Sequence, residues 1–312
     1  NSFRILPYNQ PEWKKVISPD QSFSTSSAFS LKPKENVEDD IHPDAQRFMM
    51  YDSLAAVTGY IDKTILPEWL WYQTDTGFLR TRADEYRSWN DSIDNYRVES
   101  IGAIKIVSFT AQKPGDNLVK KVKLVLNGNE LYELFGHFAQ QDLPGMYDRF
   151  FDDFRVINEK KSEDRSASKI NLLSKALDNA GKETVKTIGK WWDYLEFTET
   201  DIPALQRMLL RVYPDFDSSY YGNLNKKLFD KIEFLDSNHI TVSFIKDHYA
   251  DIEIKDEYIK PFVIAYLSGI TTAESYGVLK ACLTKYSLNF KGSPYFPTSF
   301  YDSLKLTATL YP

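Results

Sequence analysis

The stretch from Val119 to Phe138 constrains this chain more than any other: two runs rich in β-branched and aromatic residues, Val119 to Leu126 and Glu130 to Phe138, flank Asn127-Gly128. Asn-Gly between two such runs is the strongest short-range hairpin signal, because the mirror-image turn that suits right-twisted strands needs positive φ at both central residues. Ala103 to Phe109 is a further β-branched run, and Pro114-Gly115-Asp116 marks a turn between it and Val119. A three-stranded antiparallel meander is predicted.

The flanking sequence adds to that sheet. Up to about residue 40, Pro7, Pro11, Pro19, Pro33 and the Ser-rich run Ser22 to Ser30 preclude a helix and predict short strands and turns at a sheet edge. Arg47 to Tyr60 reads as one strand from the partial alternation of Phe48, Met50 and Val57, although Leu54-Ala55-Ala56 blurs the period. Thr81 to Ser92 suits a short helix or a structured loop. After the meander, Leu143 to Phe154 predicts a helix, with Pro144 in its first turn and Met146, Tyr147, Phe150, Phe151 and Phe154 on one face, followed by a return strand at Arg155-Val156-Ile157.

Near residue 160 the apolar rhythm changes from period two to helical. Asn158 to Ser168 is charged and Ser-rich with no apolar periodicity, so the reading is a β-rich domain over 1–157, a linker with a connecting helix over 158–197, and a helical domain over 198–312. Residues 169–190 form the connecting helix in this reading, and segments 201–213, 223–235, 239–250, 256–268, 272–286 and 299–310 form three helical hairpins. Pro203 marks one helix start, and Thr271 with Glu274 suggests a capping box at another. First-helix starts near 201, 238 and 272 give a period of about 35 residues, as in stacked helical-hairpin repeats. The expected fold class is α+β: an antiparallel sheet with flanking helices, followed by an all-α helical-hairpin domain.

A chain of 312 residues has the length of two domains. Its net charge of −6 argues against nucleic acid or an anionic membrane surface as partner, since both demand clustered Lys and Arg. No stretch approaches the roughly 20 apolar residues of a membrane-spanning helix. Cys282, the single cysteine, sits among apolar residues at helical spacing and reads as a buried structural thiol. The chain opens on Asn1 rather than Met, which suggests a processed or truncated product whose targeting segment has been removed.

No familiar catalytic or cofactor motif occurs, so neither a catalytic residue nor a cofactor is expected. His42, His137, His239 and His248 are scattered, which is not the pattern of a zinc site, and no metal is expected. Carboxylates cluster at Glu38-Asp39-Asp40 and Asp152-Asp153; paired acids can serve hydrolysis or Ca²⁺, but without ligand spacing they read as solvated acidic turns. The most unusual local feature is aromatic: Trp69, Trp71 and Tyr72 in PEWLWYQ, with Trp89 further on. Such rings make a candidate binding surface for a sugar or a partner peptide, with core packing as the alternative. Trp191-Trp192 is expected to seal a domain interface.

Residues 11–157 resemble the PsbP-like family of α/β/α lipoproteins and exported subunits. The resemblance rests on Trp13-Lys14-Lys15 with Ser18-Pro19-Asp20 and Phe23, on the hairpin VKLVLNGNELYELF, and on MYDRFFDDFRVI; the middle, around 60–100, fits poorly and reads as an insertion. The helical half is similar in pattern to HEAT-like repeats, and its ending, SFYDSLKLTATLYP, resembles the tail of large exported proteins that carry a TraB/GumN-type domain. These resemblances imply a non-enzymatic binding or scaffolding module with protein partners, periplasmic or at the cell surface, and part of a larger cell-envelope assembly. The alternatives are a fragment of a larger exported TraB/GumN-like hydrolase lacking its catalytic domain, or a carbohydrate-binding module.

Overall fold

The computed structural model describes residues 12–34, 45–52, 57–87, 91–139, 147–161, 163–178, 180–214, 223–255 and 259–285. The chain divides into two compact units, 1–167 and 168–312.

In the first unit the chain runs through β1 (Lys14–Ile17), β2 (Phe23–Ser27), β3 (Lys32–Lys34), β4 (Gln46–Asp52), β5 (Val57–Ile65), α1 (Asp75–Glu85), β6 (Ser92–Ile101), β7 (Ile104–Gln112), β8 (Leu118–Asn127), β9 (Glu130–Ala139), α2 (Asp148–Asp152) and β10 (Arg155–Val156). Seven strands make one antiparallel sheet in the order β3-β4-β5-β9-β8-β7-β6, and β1-β2-β10 make a small second sheet. The meander expected from the sequence is thus the β7-β8-β9 part of a larger sheet. The single strand expected over Arg47 to Tyr60 is instead two, β4 and β5, paired with each other; the Leu54-Ala55-Ala56 interruption lies outside the described residues.

The hairpin forms where Asn127-Gly128 announced it, with the turn shifted by one residue. Asn127 pairs with Glu130, so the central residues are Gly128 and Asn129, and only Gly128 has positive φ (+62°). A glycine alone at the first central position defines the type II′ turn rather than type I′. Asn127 is fully buried and serves a different purpose: its amide donates to the Asn158 carbonyl (3.0 Å) and accepts from the Lys160 N–H (2.8 Å).

Strand alternation gives the large sheet two different faces. On one, Phe23, Phe48, Ile61, Tyr132, Leu134 and Phe138 form an aromatic-rich core with Phe150, Phe151 and Phe154 from α2 and its exit. Four of the five helix-spaced positions named in the sequence, Tyr147, Phe150, Phe151 and Phe154, reach this core, and Arg155-Val156 returns as β10 on β2. The helix itself is shorter than expected, and 140–146 lies outside the described residues. On the opposite face α1 packs against β7 and β8 and buries Phe78, Leu79 and Ala83. Thr74 caps α1 by accepting from the Gly77 N–H at 3.0 Å, so the helix begins six residues before the expected Thr81.

The charged run after β10 is held on this unit. The Arg165 guanidinium donates to the carbonyls of Pro67 (2.8 Å) and Leu70 (2.9 Å), and its own carbonyl accepts from Tyr72 N–H. Arg165 is 3% exposed, which is why a segment with no apolar period still belongs to a packed body.

Lys63 lies between two carboxylates, 2.6 Å from Asp20 and 3.2 Å from Glu130. Burial alone would raise both acids, but the hydrogen bonds from Lys63 and Ser22 to Asp20, and from Tyr132, Lys160 and Lys63 to Glu130, outweigh it and hold both below the usual carboxylate range. Burial would lower Lys63, and its bonds to Asp20 and Glu130 reverse that and raise it. The carboxylate contribution is therefore complete above about pH 4.3 and lost as pH falls through the depressed values, while the Lys63 contribution is complete below about pH 10.4 and lost above the raised one. Urea midpoints measured across pH should show a plateau between those limits, and Lys63→Met should flatten the acid limb.

The second unit contains α3 (Ile170–Leu177), α4 (Lys182–Trp191), α5 (Ile202–Leu209), α6 (Leu224–Leu235), α7 (Thr241–Lys255), α8 (Lys260–Gly269) and α9 (Ala273–Lys285), with short 3-10 turns at Trp192–Tyr194 and Glu199–Asp201. The connecting helix expected over 169–190 is broken into α3 and α4, where Gly181 takes the extended cap conformation of α4. Pro203 stands in the first turn of α5 as expected. The cap of α9 is one residue later than the Thr271–Glu274 box: Thr272 Oγ1 accepts from the Ser275 N–H at 3.1 Å. The helices α5, α7 and α9 begin unevenly spaced, at Ile202, Thr241 and Ala273, and 299–310 lies outside the described residues.

Candidate functional site

Helix α2 and strand β10 cover only part of their face of the large sheet. Beyond them the outer strands β6, β7 and β8 are left open, and a groove of about 700 Å³ runs between those strands and the chain from Phe151 to Glu159. Its sheet side carries Ile104, Ile106 and Val125, an apolar floor continuous with the aromatic core, with Ser108 beside them.

Charged side chains of both signs rim the floor. Arg97, Lys121, Lys123 and Arg155 stand with Glu99, Asp152 and Glu159. Most are fixed by bonds within the protein. Lys123 Nζ donates to the Phe151 carbonyl at 2.8 Å, and Lys121 pairs with Asp148 while lying 5.1 Å from the Phe151 ring centre. Arg155 donates to the carbonyls of Asp152 (2.5 Å) and Phe154 (2.7 Å). Burial, with Arg155 adding repulsion, pushes the Lys123 ammonium below its usual range. One end of the groove is closed by Glu159, which accepts from the Ala103 N–H at 2.6 Å and so clamps the β6–β7 turn. Gly102 in that turn has φ +58° and lies directly against the Glu159 carboxylate, so a side chain there would meet both a strained backbone and a filled space.

The aromatic cluster singled out in the sequence lies elsewhere. Trp71 is 1% and Tyr72 2% exposed, and Tyr72 stacks on Phe78 of α1 with ring centres 4.5 Å apart. Both rings are core and cannot stack on a sugar; the reason is the chain's descent from Leu66 to Tyr72, which Arg165 ties down. Trp69 is half-buried, and Trp89 lies outside the described residues. Trp191 packs on Tyr194 and Trp192 on Phe197, all within the second unit. Of the acidic candidates, Asp152 lines the groove and Asp153 accepts from the Ser26 hydroxyl at 2.5 Å, while Glu38, Asp39, Asp40 and His42 lie outside the described residues. Among the described residues no three His, Cys, Asp or Glu side chains are grouped as a metal would require. Cys282 is buried in α9. No described helix is long and apolar enough to cross a membrane.

Sequence reasoning missed a second polar constellation, beneath α1. Arg47 is bidentate to Asp62, with both bonds at 2.7 Å, and Arg82 donates to Glu133 at 2.7 and 3.1 Å. Asp62 and Glu133 are register partners on β5 and β9, and both are 0% exposed. Tyr86 adds its hydroxyl to Glu133 at 3.2 Å, and Arg47 lies over the rings of Tyr60 and Phe135. Burial, then the Glu133 charge, raises the Tyr86 phenol well above its usual range. Arg82 also reaches outward to Glu85, whose side chain is 37% exposed, so the network runs from the sealed Asp62–Glu133 pair to the surface of α1 and ties β4, β5, β9 and α1 together.

The fold and its groove define the class: an α+β protein whose antiparallel sheet carries a helix on each face, followed by a unit whose described elements are all helical. No protein-family model matches the chain, and no curated protein matches it. Among solved structures it is similar to the solution structure of cyanobacterial PsbP (CyanoP) from Synechocystis sp. PCC 6803, at 9% identity and a TM-score of 0.35, over 49% of this chain and 98% of that one. It is also similar to a crystal structure from Bacteroides thetaiotaomicron VPI-5482, at 14% identity and a TM-score of 0.31, over 74% of this chain and 80% of that one. Likenesses this low carry no argument about function, and the α+β assignment stands on the strand order and the helices themselves.

Proposed function

We propose that the chain is a non-enzymatic binding or scaffolding module whose first unit holds an extended segment of a protein partner in the groove over β6, β7 and β8. The observation that carries this reading is the commitment of the rim: Lys121, Lys123, Arg155 and Glu159 are each engaged by protein groups around an apolar floor. Charges fixed in that way supply shape and orientation to a ligand, as in binding clefts, whereas proton transfer needs a group poised toward the reacting atom. An apolar floor with a rim of both signs suits a peptide of mixed character. The reading needs no cofactor or metal. Placement in the cell envelope, outside the cytoplasm, rests on the sequence resemblance to PsbP-like proteins alone. The carbohydrate-binding alternative loses Trp71 and Tyr72 to the core.

A small diazirine-bearing residue at Ser108, in the groove, should capture a discrete partner from the source organism's envelope extract. The same residue at Leu172, exposed on α3, should not. Equal capture at both positions, or none at Ser108, would contradict the proposal.

A further inference from the structure

Strand β6 ends the seven-stranded sheet, and among the described residues nothing pairs with its free side. Nine of its ten residues, Ser92 and Asp94 to Ile101, are exposed, including Tyr96 (40%), Val98 (47%) and Ile101 (57%). A long free edge carries a row of unpaired main-chain donors and acceptors that a further strand can complete.

The main-chain phase of that edge is determined. Ile101 and Ile104 flank the two-residue turn Gly102-Ala103 and are therefore a hydrogen-bonded pair. Antiparallel alternation then turns the main-chain groups of Arg97 and Glu99 toward β7 and those of Val98 and Ser100 outward. A bulge between Asp94 and Arg97, with Asn95 at φ +56°, ends the regular edge at its other side. Any new strand therefore meets the short regular stretch from Arg97 to Ile101, whose outward main-chain groups are those of Val98 and Ser100.

The charges on that stretch complement themselves. Arg97 and Glu99 lie on the same face, two residues apart; no ion pair within 4.0 Å joins either to another described residue, and Glu99 acts on Lys123 only at longer range. We propose that the chain forms a two-fold symmetric dimer in which β6 pairs antiparallel with β6 of a second copy, centred on Val98. In that register Val98 faces its own symmetry mate, Arg97 stands opposite Glu99 of the second copy, and Glu99 opposite its Arg97. These are pairs without mutual hydrogen bonds, whose side chains approach most closely. Centring on Arg97 or Glu99 would oppose like charges, and centring on Tyr96 or Ser100 would leave both charges without an opposite. Centring on any residue of the stretch keeps outward main-chain groups opposite one another, so it is the charges that select Val98, and the contact is isologous and closes at two copies.

The interface is small, so the dimer is weak, with a dissociation constant on the order of 10–100 µM. Sedimentation velocity of the full chain at concentrations spanning about 10–200 µM should show a monomer–dimer equilibrium. Arg97→Glu alone and Glu99→Arg alone should each weaken it about tenfold or more, since both cross-strand pairs become repulsive. Mixing the two single variants should restore dimer, because every pair across the mixed interface is then of opposite sign; this also shows that both variants are folded. A wild-type chain that stays monomeric throughout, a dimer indifferent to the single reversals, or a mixture that does not dimerise would each overturn the proposal. Arg97 and Glu99 also rim the groove, but sedimentation reads self-association of the purified chain without any other partner, so its outcome is distinguishable from failure of the groove reading.

Discussion

Asp62→Ala is expected to destabilise the first unit by about 3–5 kcal/mol, because it strands the buried Arg47 guanidinium without its bidentate partner. Asp62 is 0% and Arg47 6% exposed, so water cannot take the carboxylate's place without opening the sheet. The cost arises from the uncompensated charge rather than from the strength of the pair. Replacing both groups, as Arg47→Met with Asp62→Leu, should therefore recover most of the loss, since a buried ion pair and an apolar pair of similar volume are often close in stability. Hydrogen exchange of the β5 and β9 amides reads this unit separately from the helical one. A single variant that costs under about 1 kcal/mol would mean that the network is hydrated and contributes little.

In the second unit the largest effect is expected at Asp236, between α6 and α7. Its carboxylate accepts from the N–H groups of Ile240 (2.9 Å) and Thr241 (2.8 Å) at the start of α7 and from the Tyr266 hydroxyl (2.7 Å) on α8. Asp236→Ala removes a helix cap and leaves a buried phenol without its acceptor, together about 2–4 kcal/mol. Burial opposes ionisation of Asp236, but its bonds to Thr241, Tyr266 and Ile240 prevail and lower its pKa. The contribution is therefore complete above about pH 4 and lost as pH falls through the lowered folded value. The difference in unfolding free energy between wild type and Asp236→Ala, read from exchange of α7 amides, should shrink on acidification. Asp236→Asn should retain part of the cap and lose the pH dependence.

What could be read beforehand was whatever leaves a period. The β7, β8 and β9 runs, the aromatic spacing of α2 and the start of α5 at Pro203 all carry their signal in neighbouring residues. The exposed strand β6, Ser-Ile-Asp-Asn-Tyr-Arg-Val-Glu-Ser-Ile, buries neither face and so shows no apolar alternation, which concealed both a wall of the groove and the free edge. Asp62 and Glu133 were hidden for the opposite reason: each is a charge at an inward position of an apolar strand, and its Arg partner becomes visible only once β4, β5, β9 and α1 are assembled. Trp71 and Tyr72 marked a locally unusual composition, yet nothing in that composition separates a ring in the core from a ring at the surface. Asn127-Gly128 announced the hairpin and misplaced its turn by one residue, because Asn127 is drawn into the strand by its two bonds to 158–160.

The groove over β6, β7 and β8 is the proposed seat of the partner. The most direct test is the affinity of the partner captured through Ser108, purified and titrated against the wild-type chain and against Ser108→Trp, which fills the floor without entering the core. Affinity at least about tenfold lower for Ser108→Trp, with its urea midpoint unchanged, is the predicted result. Equal affinity for the two proteins would contradict the account.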